Sequence, residues 1–177
     1  ARIRPETMRL ALFDLDNTLL PLDSDYEWAR FLVRIGVLDG DRYEAENDRF
    51  LNAYKAGTLD IAEFLAFQLA PLARHSAGQL AAWHAQYMRE VIEPAIRPAA
   101  RELVASHQRD GDVCAIVTAT NEFVTAPIAR AFGVPTLIAT GIEQVDGRYT
   151  GRPRGTPCFR EGKIANTEAW LQERGQD

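Results

Sequence analysis

The chain has 177 residues, 46% of them hydrophobic, and a formal net charge of −5 at pH 7. That length suits one domain of ordinary size with room for an insertion, and the apolar share supports a sizeable core rather than a disordered chain. The acidic balance speaks against a nucleic-acid partner, which wants a basic face, and against an anionic membrane surface. No apolar run approaches the roughly 20 residues of a membrane helix. Residues 1–7 lack the apolar centre of a signal peptide, although the chain begins with Ala and not Met. Cys114 and Cys158 show no metal-ligand spacing, and His75, His84 and His107 are scattered, so no zinc cluster is expected. Cys114 reads as a buried thiol, and a cytoplasmic location fits this use of cysteine.

In chain order, Leu10 to Phe13 is a short, continuously apolar run that predicts a buried strand. It leads directly into Asp14 and Asp16, one residue apart. Alternation places those two on one side, with Leu15 turned away. Two ionised acids after such a run are costly unless water, a metal or a partner charge meets them. The carboxyl end of a parallel strand in an α/β sheet is where ligands bind, and two converging acids suit Mg²⁺.

The stretch Pro21-Leu22-Asp23-Ser24-Asp25 can cap a helix carrying Tyr26, Trp28, Phe31, Leu32 and Ile35 and ending at Gly36. A second helix is predicted over 43–55, closed by Gly57. A third opens at Leu59-Asp60, with Ile61, Phe64, Leu65 and Leu69 on one face and Pro71 beyond its end. A fourth begins at Ser76 and carries Leu80, Trp83, Tyr87, Met88 and Val91 up to Pro94. A run of helices without strand-like alternation is unlike a βαβ unit, which uses one crossover helix. Residues 21–94 are therefore read as a helical cap.

Pro98 starts the next helix, through Leu103 to Gln108, and Asp110-Gly111 turns it. A second buried strand over 113–117 ends in Thr118, before a helix over 123–132 that starts from Asn121. A third strand spans 136–140. Asp146-Gly147 is a hairpin turn between 142–145 and 148–150. Glu161-Gly162-Lys163 opens a last helix with Ile164, Trp170 and Leu171 inward. The expected fold is α/β, with a Rossmann-like parallel sheet core made of 1–20 and 95–177, the cap of 21–94 after the first strand, and a small β-hairpin.

Two further residues carry chemistry. Thr118 ends a strand beside a helix N-terminus, where free backbone N–H groups make a phosphate seat. Lys163 is one of two lysines in the chain, with Lys55. It stands in the first turn of a helix, where a cation opposes the macrodipole and is best explained by an anion in front of it. Arg152, Arg154 and Arg160 just before it could contact a substrate anion, but read better as a solvated face.

Phe13-Asp14-Leu15-Asp16-Asn17-Thr18-Leu19 resembles the first motif of the haloacid dehalogenase-like hydrolase superfamily in its phosphatase form, Asp-x-Asp-x-Thr. Ile116-Val117-Thr118-Ala119-Thr120-Asn121 is similar to its second motif, and Gly162-Lys163 to its third. With a helical insertion after the first motif, the order resembles the phosphoserine-phosphatase-like branch. The resemblance implies a Mg²⁺-dependent phosphatase acting on a small phosphomonoester through an aspartyl-phosphate. Asp14 would attack, Asp16 would handle the leaving-group proton, and Thr118 and Lys163 would hold the phosphate. Asp14 and Asp16 would serve the metal, and Thr18, Asp23, Asp25 and Asn121 would contact substrate. The chain departs from that branch in having Thr118-Ala119-Thr120 for Ser-Gly-Gly, and Asp23 and Asp25 where a Glu holds the substrate amine. It also ends at Gln176-Asp177, before the acidic fourth motif, so a C-terminal part of the core is expected to be missing. A catalytically dead phosphate-binding module of the same fold is the alternative. A phospho-accepting receiver-like domain is another, although its accepting Asp follows a later strand.

Overall fold

The computed structural model describes residues 9–174; the N-terminal segment 1–7 and the C-terminal Gln176-Asp177 considered above lie outside them. Strand β1 (Leu10–Phe13) pairs in parallel with β2 (Val113–Asn121), with Leu10 opposite Val113 and Phe13 opposite Ile116. β2 pairs in parallel with β3 (Thr136–Val145), and β3 turns back antiparallel on β4 (Arg148–Arg154). The sheet order among the described residues is β1-β2-β3-β4.

Between β1 and β2 the chain is helical, as its patterning predicts. The helices are α1 (Ser24–Arg34), α2 (Gly40–Lys55), α3 (Ile61–Arg74) and α4 (Ala77–Tyr87). A π-turn (Met88–Ile92) and the single turn α5 (Glu93–Ala95) follow α4, and α6 (Pro98–Arg109) leads into β2. Each of the first four helices starts on a side-chain cap: Asp23, Asp39, Asp60 and Ser76 accept hydrogen bonds from backbone N–H groups of the first turn. Helix α7 (Glu122–Ala131) follows β2 directly, and α8 (Glu161–Glu173) closes the described chain.

One core joins the sheet to two of the inserted helices. Phe13, Leu15, Leu19 and Ile116 pack in the same cluster as Trp28 and Phe31 of α1, Tyr87 of α4, and Val124 and Ile128 of α7. Trp28 is its aromatic hub, with ring centroids 5.7 Å from Phe31 and 5.3 Å from Tyr87. Each such buried side chain contributes about 1.5–3 kcal/mol. A second cluster binds α3 to the hairpin through Leu69, Leu72, Leu80 and Ile142. A third, of Val117, Ile138 and Cys158, receives Trp170 of α8.

Four readings need correction. Pro71 lies inside α3 rather than beyond it and is buried; the Leu69, Leu72 and Ile142 packing outweighs the lost helix bond. The strand predicted over 136–140 and the first hairpin arm are one strand, β3, which changes partner near Gly141. A Cβ at Gly141 would sit 3.0 Å from the Arg154 carbonyl oxygen, so glycine permits that close approach. Ile164, expected inward, is 62% exposed. β1 is buried on one face only: Ala11 and Phe13 turn inward, and Leu12 at the sheet edge is 47% exposed.

Candidate active site

The chain leaves β1 through a tight π-type turn, Leu15–Leu19, closed by a bond from the Leu20 N–H to the Leu15 carbonyl at 3.0 Å. Asn17 takes a left-handed conformation, φ 58, which asparagine tolerates better than most residues. Leu15, Leu19 and Leu20 plug the turn into the core. The polar side chains of Asp14, Asp16 and Thr18 then remain on the outside, at the carboxyl end of the parallel strands.

Asp14 is held from two directions. The Lys163 ammonium lies 2.7 Å from its Oδ1, and the Thr18 hydroxyl donates to its Oδ2 at 3.2 Å. Both members of the ion pair stay partly open, with side chains 35% and 46% exposed for Lys163 and Asp14. Lys163 reaches Asp14 from the first turn of α8, behind the sharp bend at Arg160, φ 49.

Asp16 is held by three donors. The Ser24 N–H donates to its Oδ1 at 2.7 Å, and the hydroxyls of Thr118 and Thr120 donate to its Oδ2 at 3.1 and 2.8 Å. The end of β2 curls to allow this: the Thr120 N–H donates to the Thr118 hydroxyl at 3.2 Å, where the β2–β3 register breaks. Thr140 of β3 fixes the curl by donating to the Ala119 carbonyl at 2.8 Å. Thr118 is buried and bonds to Asp16, but it does not end the strand as expected: β2 runs on to Asn121 because its far end curls onto Asp16.

The remaining predicted residues cluster beside Asp16. Asp23 caps α1, accepting from the N–H groups of Asp25 and Tyr26. Asn121 is buried; its Oδ1 accepts from Val124 N–H at 3.2 Å and its Nδ2 donates to Asp25 Oδ1 at 3.3 Å. Burial, and then the neighbouring Asp23 and Asp16, push the Asp25 carboxyl up to about 8. Burial likewise raises Asp23. Among the described residues neither has an ion-pair partner.

Asp14, Asp16, Thr18, Thr118 and Lys163 therefore meet at one place, with Asp23, Asp25 and Asn121 adjoining it. A shallow depression of about 420 Å³ opens beside the Asp14–Lys163 pair, lined also by Leu12, Phe13, Val117, Ile164, Thr167 and Glu168. A larger one, about 590 Å³, lies between α1 and α2 and holds none of the eight predicted residues. Among the described residues no group of three or more Asp, Glu, His or Cys is placed to hold a metal. Thr120 and the Ser24 N–H are partners of Asp16 that the sequence reading missed. Alternation from Thr118 along β2 would have pointed to Thr120.

A family model described as haloacid dehalogenase-like hydrolase matches residues 11–177. The chain belongs to that family. This haloacid dehalogenase-like hydrolase is 48% identical over 168 residues to a histidinol-phosphatase of Neisseria meningitidis serogroup C, a match covering 94% of the chain and 76% of the relative. It shares 54% identity and a TM-score of 0.90 with a structure from Bordetella pertussis Tohama I described as a protein with unknown function; the match covers 96% of the chain and 77% of that protein. A phosphoserine phosphatase captured as a phospho-aspartyl intermediate analogue has the same fold, at a TM-score of 0.64 and 21% identity, over 97% of the chain and 75% of that protein. The chain spans 51–56% of the length of several mycobacterial relatives, one of them named a phosphoserine phosphatase. No described helix of this hydrolase is long and apolar enough to cross a membrane.

Proposed function

We propose that this hydrolase is a phosphatase that cleaves a small phosphomonoester through an aspartyl-phosphate intermediate. The observation that carries the reading is the clamp on Asp14, an exposed carboxylate with Lys163 at 2.7 Å and Thr18 at 3.2 Å, next to an independently anchored Asp16. Such an acid is fixed in direction yet open to a substrate.

In this reading an Asp14 carboxylate oxygen attacks phosphorus in line, forming the new P–O bond as the ester P–O bond breaks. Asp16 delivers a proton to the departing alkoxide. It then takes a proton from water, which attacks phosphorus and releases Asp14 and inorganic phosphate. The Lys163 ammonium and the Thr118 hydroxyl stabilise the phosphate oxygens, since phosphoryl transfer depends chiefly on positioning and charge compensation. Asp14 and Asp16 supply only oxygen donors, which fits Mg²⁺, although the described residues alone do not complete its shell. When bound, Mg²⁺ would neutralise charge on the phosphate oxygens.

Residues 21–94 act as a cap that excludes bulk water and selects the leaving group. Asp23 and Asp25, paired with no cation among the described residues, favour a leaving group that carries an amine, with Thr18 and Asn121 completing the wall. The Neisseria relative makes histidinol phosphate the first substrate to try, with O-phosphoserine second. The acidic balance and the two buried free thiols support a cytoplasmic enzyme of small metabolites, without nucleic-acid or membrane partners.

A screen of small phosphomonoesters with and without Mg²⁺, on the chain and its Asp14→Asn variant, tests the proposal. Turnover by the parent and none by a folded variant supports it. Full turnover by the variant removes Asp14 as nucleophile, and phosphate binding without turnover favours a binding module instead.

A further inference from the structure

We propose that Thr120 is a positioning residue whose hydroxyl holds the Asp16 carboxylate in line with the leaving group while the Thr118 hydroxyl serves the phosphate. The inference rests on the phosphatase reading above and adds a residue and a division of labour to it.

A threonine hydroxyl has a single proton to donate. In the structure both Thr118 and Thr120 spend theirs on the same oxygen, Asp16 Oδ2. If Thr118 also serves a phosphate oxygen, its proton must leave Asp16 when substrate enters. The shorter of the two bonds, 2.8 Å against 3.1 Å, belongs to Thr120 and stays behind. The Ser24 N–H on Oδ1 cannot replace it, because one bond on one oxygen leaves the carboxylate free to rotate. A bond on each oxygen fixes its plane.

Thr120 is well placed for this. Its own N–H is tied to the Thr118 hydroxyl, and the intervening Ala119 carbonyl is gripped by Thr140, whose hydroxyl in turn accepts from the Cys158 N–H at 3.0 Å. The curl that presents Thr120 is therefore braced by β3 and by the segment before α8. It does not depend on substrate.

The test compares Thr120→Val, which keeps shape and loses the hydroxyl, with Thr120→Ser, which keeps the hydroxyl. The substrates are histidinol phosphate, whose alkoxide needs a proton, and p-nitrophenyl phosphate, whose phenolate leaves without one. Thr120→Val should lower kcat/KM for the alkyl ester by about tenfold to a hundredfold, and for the aryl ester by less than about threefold. Thr120→Ser should restore the alkyl reaction, and inorganic phosphate should bind both variants like the parent in calorimetry. Equal losses on both esters, no loss, or weakened phosphate binding would overturn the proposal. Should the valine variant fail to fold, Thr120→Ala against Thr120→Ser gives the same comparison. If the parent hydrolyses neither ester, the phosphatase reading fails by itself. Crystal structures of parent and variant with inorganic phosphate bound then decide the hydrogen-bond claim: an Asp16 side chain unmoved in phosphate-bound Thr120→Val would refute it.

Discussion

Replacing Gly162 by alanine sets two effects of opposite sign against each other. Gly162 is the second residue of α8, immediately before Lys163, and is buried. Helix propensity favours alanine over glycine by about 1 kcal/mol. Yet a Cβ there would overlap the carbonyl oxygen of Pro157, far inside the 3.0 Å that real Cβ atoms keep. That oxygen cannot easily swing aside, because it accepts the Phe159 N–H at 2.8 Å in the turn that precedes the helix. Overpacking against rigid surroundings costs about 1–3 kcal/mol. The clash therefore matches or exceeds the propensity gain, and the variant should be less stable by up to about 2 kcal/mol, or up to several degrees in Tm for a chain of this size. Relief requires the first turn of α8 to move by about 1 Å, taking the Lys163 ammonium off Asp14, and a displacement of that size costs about a hundredfold in rate. Urea unfolding and phosphomonoester turnover measure the two consequences. A variant with an unchanged or raised midpoint and parental turnover would refute the reasoning, since the loop would then have yielded without moving the lysine.

Other variants separate stability from chemistry. Lys163→Met should change the unfolding free energy measured in urea by no more than about 1 kcal/mol, because the ion pair with Asp14 is partly solvated. Its turnover should fall at least about a hundredfold; a large stability loss with activity intact would reverse the assignment. Tyr87→Phe removes a buried bond to the Ser24 carbonyl at 2.7 Å and should cost about 1–2 kcal/mol in the same assay, whereas a neutral result would mean that α1 does not depend on it. For Asp25, a folded-state value of about 8 against an ordinary 3.8 means that the folded chain keeps a proton that the unfolded chain releases. The carboxyl therefore costs nothing at low pH, and stability falls as pH rises from roughly 4 to roughly 8. Asp25→Asn should flatten that decline and exceed the parent at pH 8. Equal slopes in denaturation series at pH 5 and pH 8 would count against it.

Much of the site could be read without coordinates because its signals are local. Asp14, Asp16 and Thr18 follow an apolar run that has to be a strand, and Lys163 opens a helix where a cation is out of place. The helix starts at Asp23, Asp60 and Ser76 were legible for the same reason, since a cap is a property of a few neighbouring residues. What escaped depends on distant partners. Pro71 sits in a helix because Leu69, Leu72 and Ile142 bury its surroundings. β2 continues to Asn121, past Thr118, because its far end curls onto Asp16, which no pattern within 113–121 announces. Ile164 obeys helical spacing, yet α8 turns Gly162 and Trp170 inward and leaves that isoleucine beside β1, the edge strand among the described residues.

The grip on Asp14 spans 149 positions of sequence, and the grip on Asp16 spans 102 and 104. During synthesis, the two aspartates emerge long before the groups that will restrain them. In the proposed mechanism a nascent chain carries no working centre until its last described helix has docked. Turnover would then report completed assembly more stringently than helix content, which could reach its native level with that helix still adrift.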